Sequence, residues 1–404
     1  MKLLEKLLDY VSYETTADDT SSTCPSSSKE LILASHLKDE LIKYGCNDAF
    51  VDENGYVYGT LIGEENIPSL GLVAHMDTSP DASDKDVKTR IIENYDGKDI
   101  VLNSNIVTSV NKYPFLSKYK SKTLVVTDGT TLLGADDKAG IAIICEVLDT
   151  LNTNKDIKHG TIKVCFTPDE EIGRGPNLFN YDYFKVDYCY TVDGSDFDTI
   201  AYENFNASLA KVNIKGVSVH PGTAKDKMVN SINVAQEFHN QLDPSVRPEH
   251  TEGKEGFIHL ESINGRIENT YMEYILRSFE LDELNSYKEK MINISNDLND
   301  KYGYSAVNVE FKEQYKNMKE VFNDNKKPIE LFFNCLKKLG YTPKTEAIRG
   351  GTDGATFSLN GLPCPNIGTG GNNFHGPYEF WCKDDGEIVV KLLLEMINTL
   401  AHEY

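Results

Sequence analysis

Residues 69–81 have the sequence SLGLVAHMDTSPD, in which an apolar run ends in a histidine and two aspartates. The run Leu70–Ala74 has the length and composition of a buried strand. A helical run, Gly140–Leu151, lies further along the chain. Similar strand-like runs occupy 123–127, 161–166 and 188–192. Strands that alternate with helices predict an α/β domain whose sheet is at least partly parallel.

Two further helical patterns, at 28–44 and 385–401, are predicted to lie near the two ends of this domain. The stretch Thr78–Asp99 is polar, acidic and rich in turn residues. It predicts a surface loop beside the first strand.

A different pattern occupies residues 206–317. Its order is strand, helix, strand, strand, helix, strand, which is the ferredoxin-like βαββαβ arrangement. Such a unit buries one face of its sheet under two helices. We therefore expect an inserted domain at 206–317 that interrupts an α/β domain formed by 1–205 and 318–404.

The composition of the chain, above all its net charge, limits the kinds of molecule that it is expected to bind. The formal net charge of the 404 residues is -22, and an acidic surface repels phosphate backbones and anionic lipids. Nucleic acid and membrane surfaces are therefore not expected partners. The eight cysteines form no C-x-x-C pair, which fits a reducing compartment. The N-terminal MKLLEKLLDYVS is typical of an amphipathic helix and not of a signal peptide, so we expect a cytoplasmic protein.

Acidic and histidine residues cluster after the strand-like runs. The clusters contain His75 with Asp77, Asp136 with Asp137, Glu170 with Glu171, Asp193, and His375. In open α/β sheets, sites form at the carboxyl ends of strands. Clusters at such ends can meet in one crevice although they are far apart in sequence.

The residue types in these clusters favour metal chemistry. Two histidines with several carboxylates form a nitrogen and oxygen ligand set suited to zinc, cobalt or manganese. Because residues i and i+2 of a strand face the same side, Asp77 can hold the second ring nitrogen of His75. Of the adjacent Glu170 and Glu171, one can bind metal while the other accepts a proton from water.

Each cluster alone has a simpler explanation. Asp136 or Asp137 could cap a helix that begins near Lys138. A Glu-Glu pair is usually a solvated face, Asp193 could be a turn residue, and His375 could be a loop histidine. None of these explanations predicts that all the clusters follow strands, and this conjunction favours one shared site.

Longer sequence motifs indicate a particular protein family. These are AHMDTSPD, IIENYDGKDI, LLGADDKAG, FTPDEEIGRG, YTVDG, GVSVHPGTAKDKMVN, RPEHTEGKEGF and GGTDGATFSLNGLPCPNIGTGGNNFHGPYEF. Together they closely resemble the tripeptide aminopeptidases of the co-catalytic zinc exopeptidase family. Acetylornithine deacetylase and succinyl-diaminopimelate desuccinylase are relatives in that family. The resemblance covers essentially the whole chain.

The resemblance implies a mixed-sheet α/β catalytic domain with an inserted ferredoxin-like lid and dimerisation domain. It implies hydrolysis of the N-terminal bond of unblocked tripeptides. It also implies two zinc ions per subunit, with cobalt or manganese as substitutes, and a homodimer that forms through the inserted domain.

Roles at the metal site follow from the same resemblance. His75 and Asp193 would bind one zinc ion, and Glu171 and His375 the other. Asp136 would bridge them, because the family's bridging aspartate stands two residues before the lysine.

The remaining assignments concern residues that do not bind metal. Glu170 would be the general base, and Asp77 the partner of His75. His220 is predicted at the end of the inserted domain's first strand, where a satisfied strand-end histidine is the alternative. The resemblance implies that it reaches across a dimer interface and stabilises the oxyanion. Arg277 could bind the substrate's terminal carboxylate as a bidentate partner or form a surface salt bridge.

Other classes have less support. The sequence contains no G-x-S-x-G elbow, P-loop or dinucleotide fingerprint. The nearest alternatives are a dipeptidase or an N-acyl amino acid deacylase of the same clan. A non-catalytic dimeric scaffold would be favoured by the loss of a ligand or of Glu170, and the sequence retains them all.

Overall fold

The structure, a computed structural model, describes residues 2–403. Within them the chain forms two compact units. The first comprises residues up to Tyr202, Glu320–Glu346 and the chain from Thr352 onward, and the second comprises Glu203–Lys319 and Ala347–Gly351. The domain boundaries expected from the sequence, 1–205 with 318–404 and 206–317, stay a prediction.

The helices are α1 (Leu3–Tyr10), α2 (Glu30–Lys43), α3 (Ala135–Thr153), α4 (Ser231–Asn240), α5 (Leu281–Tyr302), α6 (Lys319–Asn323), α7 (Lys327–Lys338), α8 (Asp353–Leu359) and α9 (Lys383–Glu403). The strands are β1 (Phe50–Val51), β2 (Val57–Leu61), β3 (Leu70–His75), β4 (Thr89–Ile92), β5 (Ile100–Val101), β6 (Val107–Thr108), β7 (Leu124–Thr127), β8 (Ile162–Thr167), β9 (Tyr188–Val192), β10 (Thr199–Asn204), β11 (Asn206–Lys215), β12 (Phe257–Gly265), β13 (Asn269–Ser278), β14 (Val307–Tyr315), β15 (Lys344–Ile348), β16 (Asn366–Ile367), β17 (Gly371–Asn372) and β18 (Phe380–Cys382).

An eight-stranded sheet has the order β1-β2-β8-β3-β9-β16-β10-β15. Strands β8, β3 and β9 are adjacent and parallel, whereas β2 is antiparallel to β8. Every residue of β3 and β9 is buried, as expected for parallel strands that are covered on both faces. The predicted α/β class with a mixed sheet is confirmed.

Helix α3 belongs to the largest hydrophobic core. Its buried apolar residues occur all around the helix and not on one stripe, which is typical of a helix that is enclosed on every side. Gly140 shows how closely it approaches the sheet. A Cβ atom added there would lie 1.9 Å from the carbonyl oxygen of Val192 in β9.

A smaller sheet, β17-β18-β7-β4, corrects two expectations. The run at 123–127 forms β7 of this sheet and is not part of the main one. The stretch Thr78–Asp99, predicted to be a loop, contains β4, which pairs antiparallel with β7. A four-residue edge strand is too short to give a periodic signal in a polar stretch.

The second unit has an antiparallel sheet of order β12-β13-β11-β14, packed against α4 and α5. Buried residues alternate along β13, so that Met272, Tyr274 and Leu276 face the helices. The predicted βαββαβ order is confirmed. In the part of the chain that the structure describes, every helix is too short or too polar to cross a membrane.

Gly140→Ala should destabilise the first unit, because the methyl group has no room beside β9. Overpacking of this kind costs about 1–3 kcal/mol, so the thermal unfolding midpoint measured by calorimetry should fall. Gly350→Ala is the control, since nothing lies within 4 Å of an added Cβ there. Equal midpoints for the two variants would contradict the close approach of α3 to the sheet.

Candidate metal centre

Three neighbouring strands of the main sheet deliver most of the predicted site residues. His75 is the last residue of β3, and Asp193 follows β9 directly. Glu170 and Glu171 form a short 3-10 turn after β8. Because β8, β3 and β9 are parallel and adjacent, their carboxyl ends meet at one edge of the sheet.

Asp136 and Asp137 do not follow a strand of the main sheet. β7 ends at Thr127, so the expectation that this pair directly follows a strand is wrong. The loop after β7 leads to the start of α3, where both aspartates have non-helical backbone angles. Asp137 caps the helix, because its Oδ1 accepts a hydrogen bond from the Gly140 amide at 3.1 Å. The cap predicted from the sequence is therefore Asp137, which leaves Asp136 to face the cluster.

His375 lies in the loop between β17 and β18. Its φ of 62° is in the left-handed region, and its side chain is 41% exposed. His75, in contrast, is only 2% exposed.

The carboxylate of Asp136 lies between the two imidazoles. Its Oδ1 is 3.0 Å from Nε2 of His75, and its Oδ2 is 3.3 Å from Nε2 of His375. Glu171 Oε2 is 3.0 Å from the same His375 nitrogen, and Asp193 Oδ1 is 3.8 Å from Nε2 of His75. The five predicted metal ligands are therefore brought together.

The donor set fits metal ions. One group of possible ligands is His75, Asp136 and Glu171, and a second is His75, Asp137 and Asp193, each with ligand atoms within 4.8 Å of one another. Oε1 of Glu171 is buried and has no hydrogen-bond partner among the described residues. A buried oxygen without a partner is costly unless something positive binds it.

The second group contains Asp137 where the sequence predicted Asp136. Both oxygens of Asp137 are engaged by backbone amides, Oδ1 by Gly140 and Oδ2 by His75 at 3.3 Å. The oxygens of Asp136 instead face the two imidazole nitrogens. Of the two aspartates, Asp136 is therefore the one whose carboxylate lies between the imidazoles.

Asp77 has a wider role than the sequence indicated. Nδ1 of His75 lies 3.0 Å from the Asp77 carbonyl oxygen and 3.4 Å from its Oδ1. The carboxylate also accepts hydrogen bonds from the amides of Glu170 and Glu171, each at 3.0 Å. The hydrogen bond to His75 therefore comes from the Asp77 backbone carbonyl, where the sequence predicted the side chain, while the carboxylate fixes the turn that carries both glutamates.

Sequence reasoning missed Glu379, which is 1% exposed. Its Oε2 accepts from the amides of Leu133 and Gly134, and its Oε1 accepts from the amide of Asp136 at 3.1 Å. Glu379 therefore holds the backbone that presents Asp136. The one feature of the sequence that could have indicated Glu379 is its position in FHGPYEF, four residues after His375.

Sequence reasoning also missed Asp353, which is 4% exposed and accepts a hydrogen bond from Thr167 at the end of β8. Burial raises the pKa of Asp353 to about 7. It stands in GGTDGA, a glycine-rich segment whose pattern predicts a tight turn and not a buried acid.

Excess negative charge shifts the titration of the cluster. Burial lowers the pKa of His75, but Asp193 and Asp136 raise it more and leave it well above its ordinary value. Hydrogen bonds to Asp136 and Glu171 raise the pKa of His375 to about 11. Burial raises the pKa of Asp136, yet the two histidines hold it below its usual range. Burial and Asp136 raise the pKa of Glu171 to about 7. The cluster therefore attracts positive charge.

Two predicted residues belong to the second unit. β11 ends at Lys215, so His220 lies beyond the strand and not at its end. It is exposed, and its Nδ1 accepts a hydrogen bond from the Gly222 amide at 3.1 Å. Arg277 stacks on the Tyr315 ring and donates to the carbonyl oxygen of Leu276, so it is held by neighbours of its own sheet.

Known proteins share this architecture. A model of peptidase family M20/M25/M40 matches residues 111–399. A peptidase T from Caldanaerobacter subterraneus subsp. tengcongensis is 50% identical over 401 residues, 98% of each chain. A peptidase T from Halothermothrix orenii is 46% identical over 404 residues, 99% of each chain.

Solved structures give the same fold. A tripeptidase from Staphylococcus aureus has a TM-score of 0.78 at 23% identity, over 99% of this chain and 98% of that one. An aminopeptidase PepT from Bacillus cereus has a TM-score of 0.77 at 20% identity, with the same coverage. A dinuclear metal binding peptidase of the M20 family from Bacillus subtilis has a TM-score of 0.65 at 16% identity, over 100% and 98%.

The two-unit fold, with imidazoles and carboxylates gathered at the ends of parallel strands, is that of a metallopeptidase. The chain belongs to peptidase family M20/M25/M40 and, within it, to the peptidase T group. The resemblance found in the sequence motifs is confirmed.

Zinc binding at pH 7 should release protons, because the neighbouring carboxylates raise the pKa of His375 to about 11 and a histidine must lose its proton to bind metal. Affinity should therefore fall as the pH is lowered. Titration calorimetry in two buffers of different ionisation enthalpy measures the protons released. His375→Ala should release fewer, and His250→Ala, which alters an exposed histidine of the second unit, should match the wild type. Heats that do not depend on the buffer would contradict this prediction.

Proposed function

We propose that this chain is a cytoplasmic aminopeptidase that removes the N-terminal residue from unblocked tripeptides in peptide catabolism. The observation that supports it most is the Asp136 carboxylate between the Nε2 atoms of His75 and His375. The substrate class is carried over from the peptidase T relatives and the Staphylococcus aureus tripeptidase.

We assign two zinc ions to each subunit, with cobalt or manganese as substitutes. His75 and Asp193 would hold one ion and Glu171 and His375 the other, with Asp136 between them. Imidazole and carboxylate donors suit these metals. When bound, such ions supply Lewis-acid charge that polarises the scissile carbonyl and makes water more acidic.

Glu170 is the proposed general base. Its backbone amide is fixed on Asp77, and it is adjacent to the ligand Glu171. Burial is the largest influence on its pKa and, although His75 opposes it, Asp353 and the other carboxylates keep that pKa well above its ordinary value. In its ionised form, a carboxylate whose pKa lies above the ordinary value can take a proton from the attacking water and then pass it to the leaving amine.

The second unit supplies the proposed dimer interface. In this proposal His220 acts on the partner subunit's substrate, where it stabilises the developing oxyanion. The exposure of its ring leaves it available for such a role. Arg277 is proposed to bind the substrate's terminal carboxylate. Its stacking on Tyr315 would keep the guanidinium plane fixed for bidentate contact.

A substrate panel tests the activity. Free N-terminal amino acid should be released from an unblocked tripeptide but not from its N-acetylated form. Di- and tetrapeptides should be poorer substrates than tripeptides. A preference for dipeptides would replace the proposal with a dipeptidase, and hydrolysis only of N-acyl amino acids would replace it with a deacylase. No hydrolysis at all by zinc-loaded protein would favour a binding scaffold.

Glu170→Gln should lower kcat by about 10²–10⁴-fold, because the amide cannot accept the proton. Zinc content measured by atomic absorption should stay that of the wild type. Glu93→Gln, an exposed glutamate in the polar stretch at 78–99, is the control and should keep full activity. A high residual rate with both ions bound would refute the general-base assignment.

The same variant tests the shared site. His220→Ala should also be nearly inactive, but mixed dimers of Glu170→Gln and His220→Ala chains should recover activity. Recovery is expected because one of the two sites would then combine an intact Glu170 with the partner's intact histidine. Mixing without recovery would argue against a contribution from the partner.

A further inference from the structure

The two candidate histidine ligands are supported in different ways. His75 is buried, and its Nδ1 faces the carbonyl and carboxylate oxygens of Asp77. His375 is 41% exposed on a left-handed residue of a glycine-rich loop. Packing therefore holds His75, whereas the orientation of His375 needs another restraint.

That restraint is present at the second ring nitrogen. While Nε2 of His375 faces Asp136 and Glu171, its Nδ1 lies 3.5 Å from Oδ2 of Asp81. This is an ion-pair distance. Asp81 is 69% exposed, so few neighbours oppose a rotation of its side chain toward hydrogen-bond length.

We propose that Asp81 is the positioning residue of His375. The Nδ1–H of the neutral imidazole donates to the Asp81 carboxylate, which fixes the tautomer and leaves the Nε2 lone pair for the metal ion. A carboxylate behind a metal-bound histidine restrains the ring and raises its basicity. The inference rests on the metal pair of the proposed function.

The backbone around Asp81 is anchored on both sides. Asp77 is fixed by the amides of Glu170 and Glu171. Asp84 is buried and accepts hydrogen bonds from the Thr15 amide at 2.6 Å and the Thr78 hydroxyl at 2.8 Å. Asp81 lies between these anchors. A single segment, 77–84, would thus carry the partner of each histidine ligand.

Zinc affinity is the direct test, because it does not depend on turnover. The apoprotein is titrated with zinc in competition with a chromophoric chelator. Asp81→Ala should lower the zinc affinity of one of the two sites by about 10–100-fold and leave the affinity of the other site unchanged. Asp81→Asn should recover most of the loss, because its amide oxygen still accepts a hydrogen bond from Nδ1–H.

Glu93→Ala is the matched control, since it removes an exposed charge from the same acidic stretch. It should bind both ions like the wild type. A second readout is NMR of the zinc-loaded protein. The Nδ1–H proton of His375 should be observable in the wild type and in Asp81→Asn, and lost through solvent exchange in Asp81→Ala.

The outcomes separate this inference from the proposed function. If the wild type binds no pair of zinc ions, the proposed function itself fails. If the wild type binds two and Asp81→Ala keeps both affinities, only the role of Asp81 is overturned. Equal losses in Asp81→Ala, Asp81→Asn and Glu93→Ala would also overturn it, because they would indicate net charge and not a hydrogen bond. Unchanged affinities with a raised KM for tripeptides would assign Asp81 to the substrate's ammonium group instead.

Discussion

The contact of one carboxylate, Asp136, with two imidazoles is the interaction on which the site depends. Around it lie further carboxylates, those of Glu171 and Asp193, which are mostly buried and repel one another. Burying such charges is costly unless positive charge accompanies them. The neighbouring carboxylates accordingly raise the pKa of His75 well above its ordinary value and that of His375 to about 11, which favours the charged form of each imidazole. Divalent cations would also neutralise the carboxylates, and each would bring two positive charges where a protonated imidazole brings one.

The carboxylates near the centre divide into two kinds. Asp136, Glu171 and Asp193 face the imidazole nitrogens. Asp77 and Glu379 accept hydrogen bonds from backbone amides, and each fixes a segment that carries one of these residues, although Asp77 also lies 3.4 Å from Nδ1 of His75. The backbone positions of Glu171 and Asp136 are therefore fixed by these two acids. This arrangement holds the backbone of Asp136 and Glu171 in place beside the imidazoles.

The sequence predicted the parts of the site that obey strand geometry. His75 and Asp193 could be placed because buried parallel strands are short apolar runs, and polar residues at their ends meet at one edge. Asp136 could not be placed in this way, because it does not follow a strand of the main sheet. Its position depends on β7 of the smaller sheet and on the loop that leads from β7 to the start of α3. Glu379 was missed because its three amide contacts join parts of the chain that are far apart in sequence, and no local pattern reports them. β4 was missed because edge strands of a few residues have no periodicity.

Asp77 and Glu379, which hold backbone amides, also show why the site contains more carboxylates than metal binding alone requires. Asp77 uses separate oxygens for the amides of Glu170 and Glu171. An asparagine there would offer one acceptor oxygen and place its NH2 group against the other amide, donor against donor. Glu379 accepts three amides with its two oxygens, so a glutamine would leave at least one of them unsatisfied. Each unsatisfied buried amide costs about 1–3 kcal/mol. The acidity of these positions is therefore set by the number of backbone donors to be satisfied, and the cations must then neutralise charges that the scaffold itself needs.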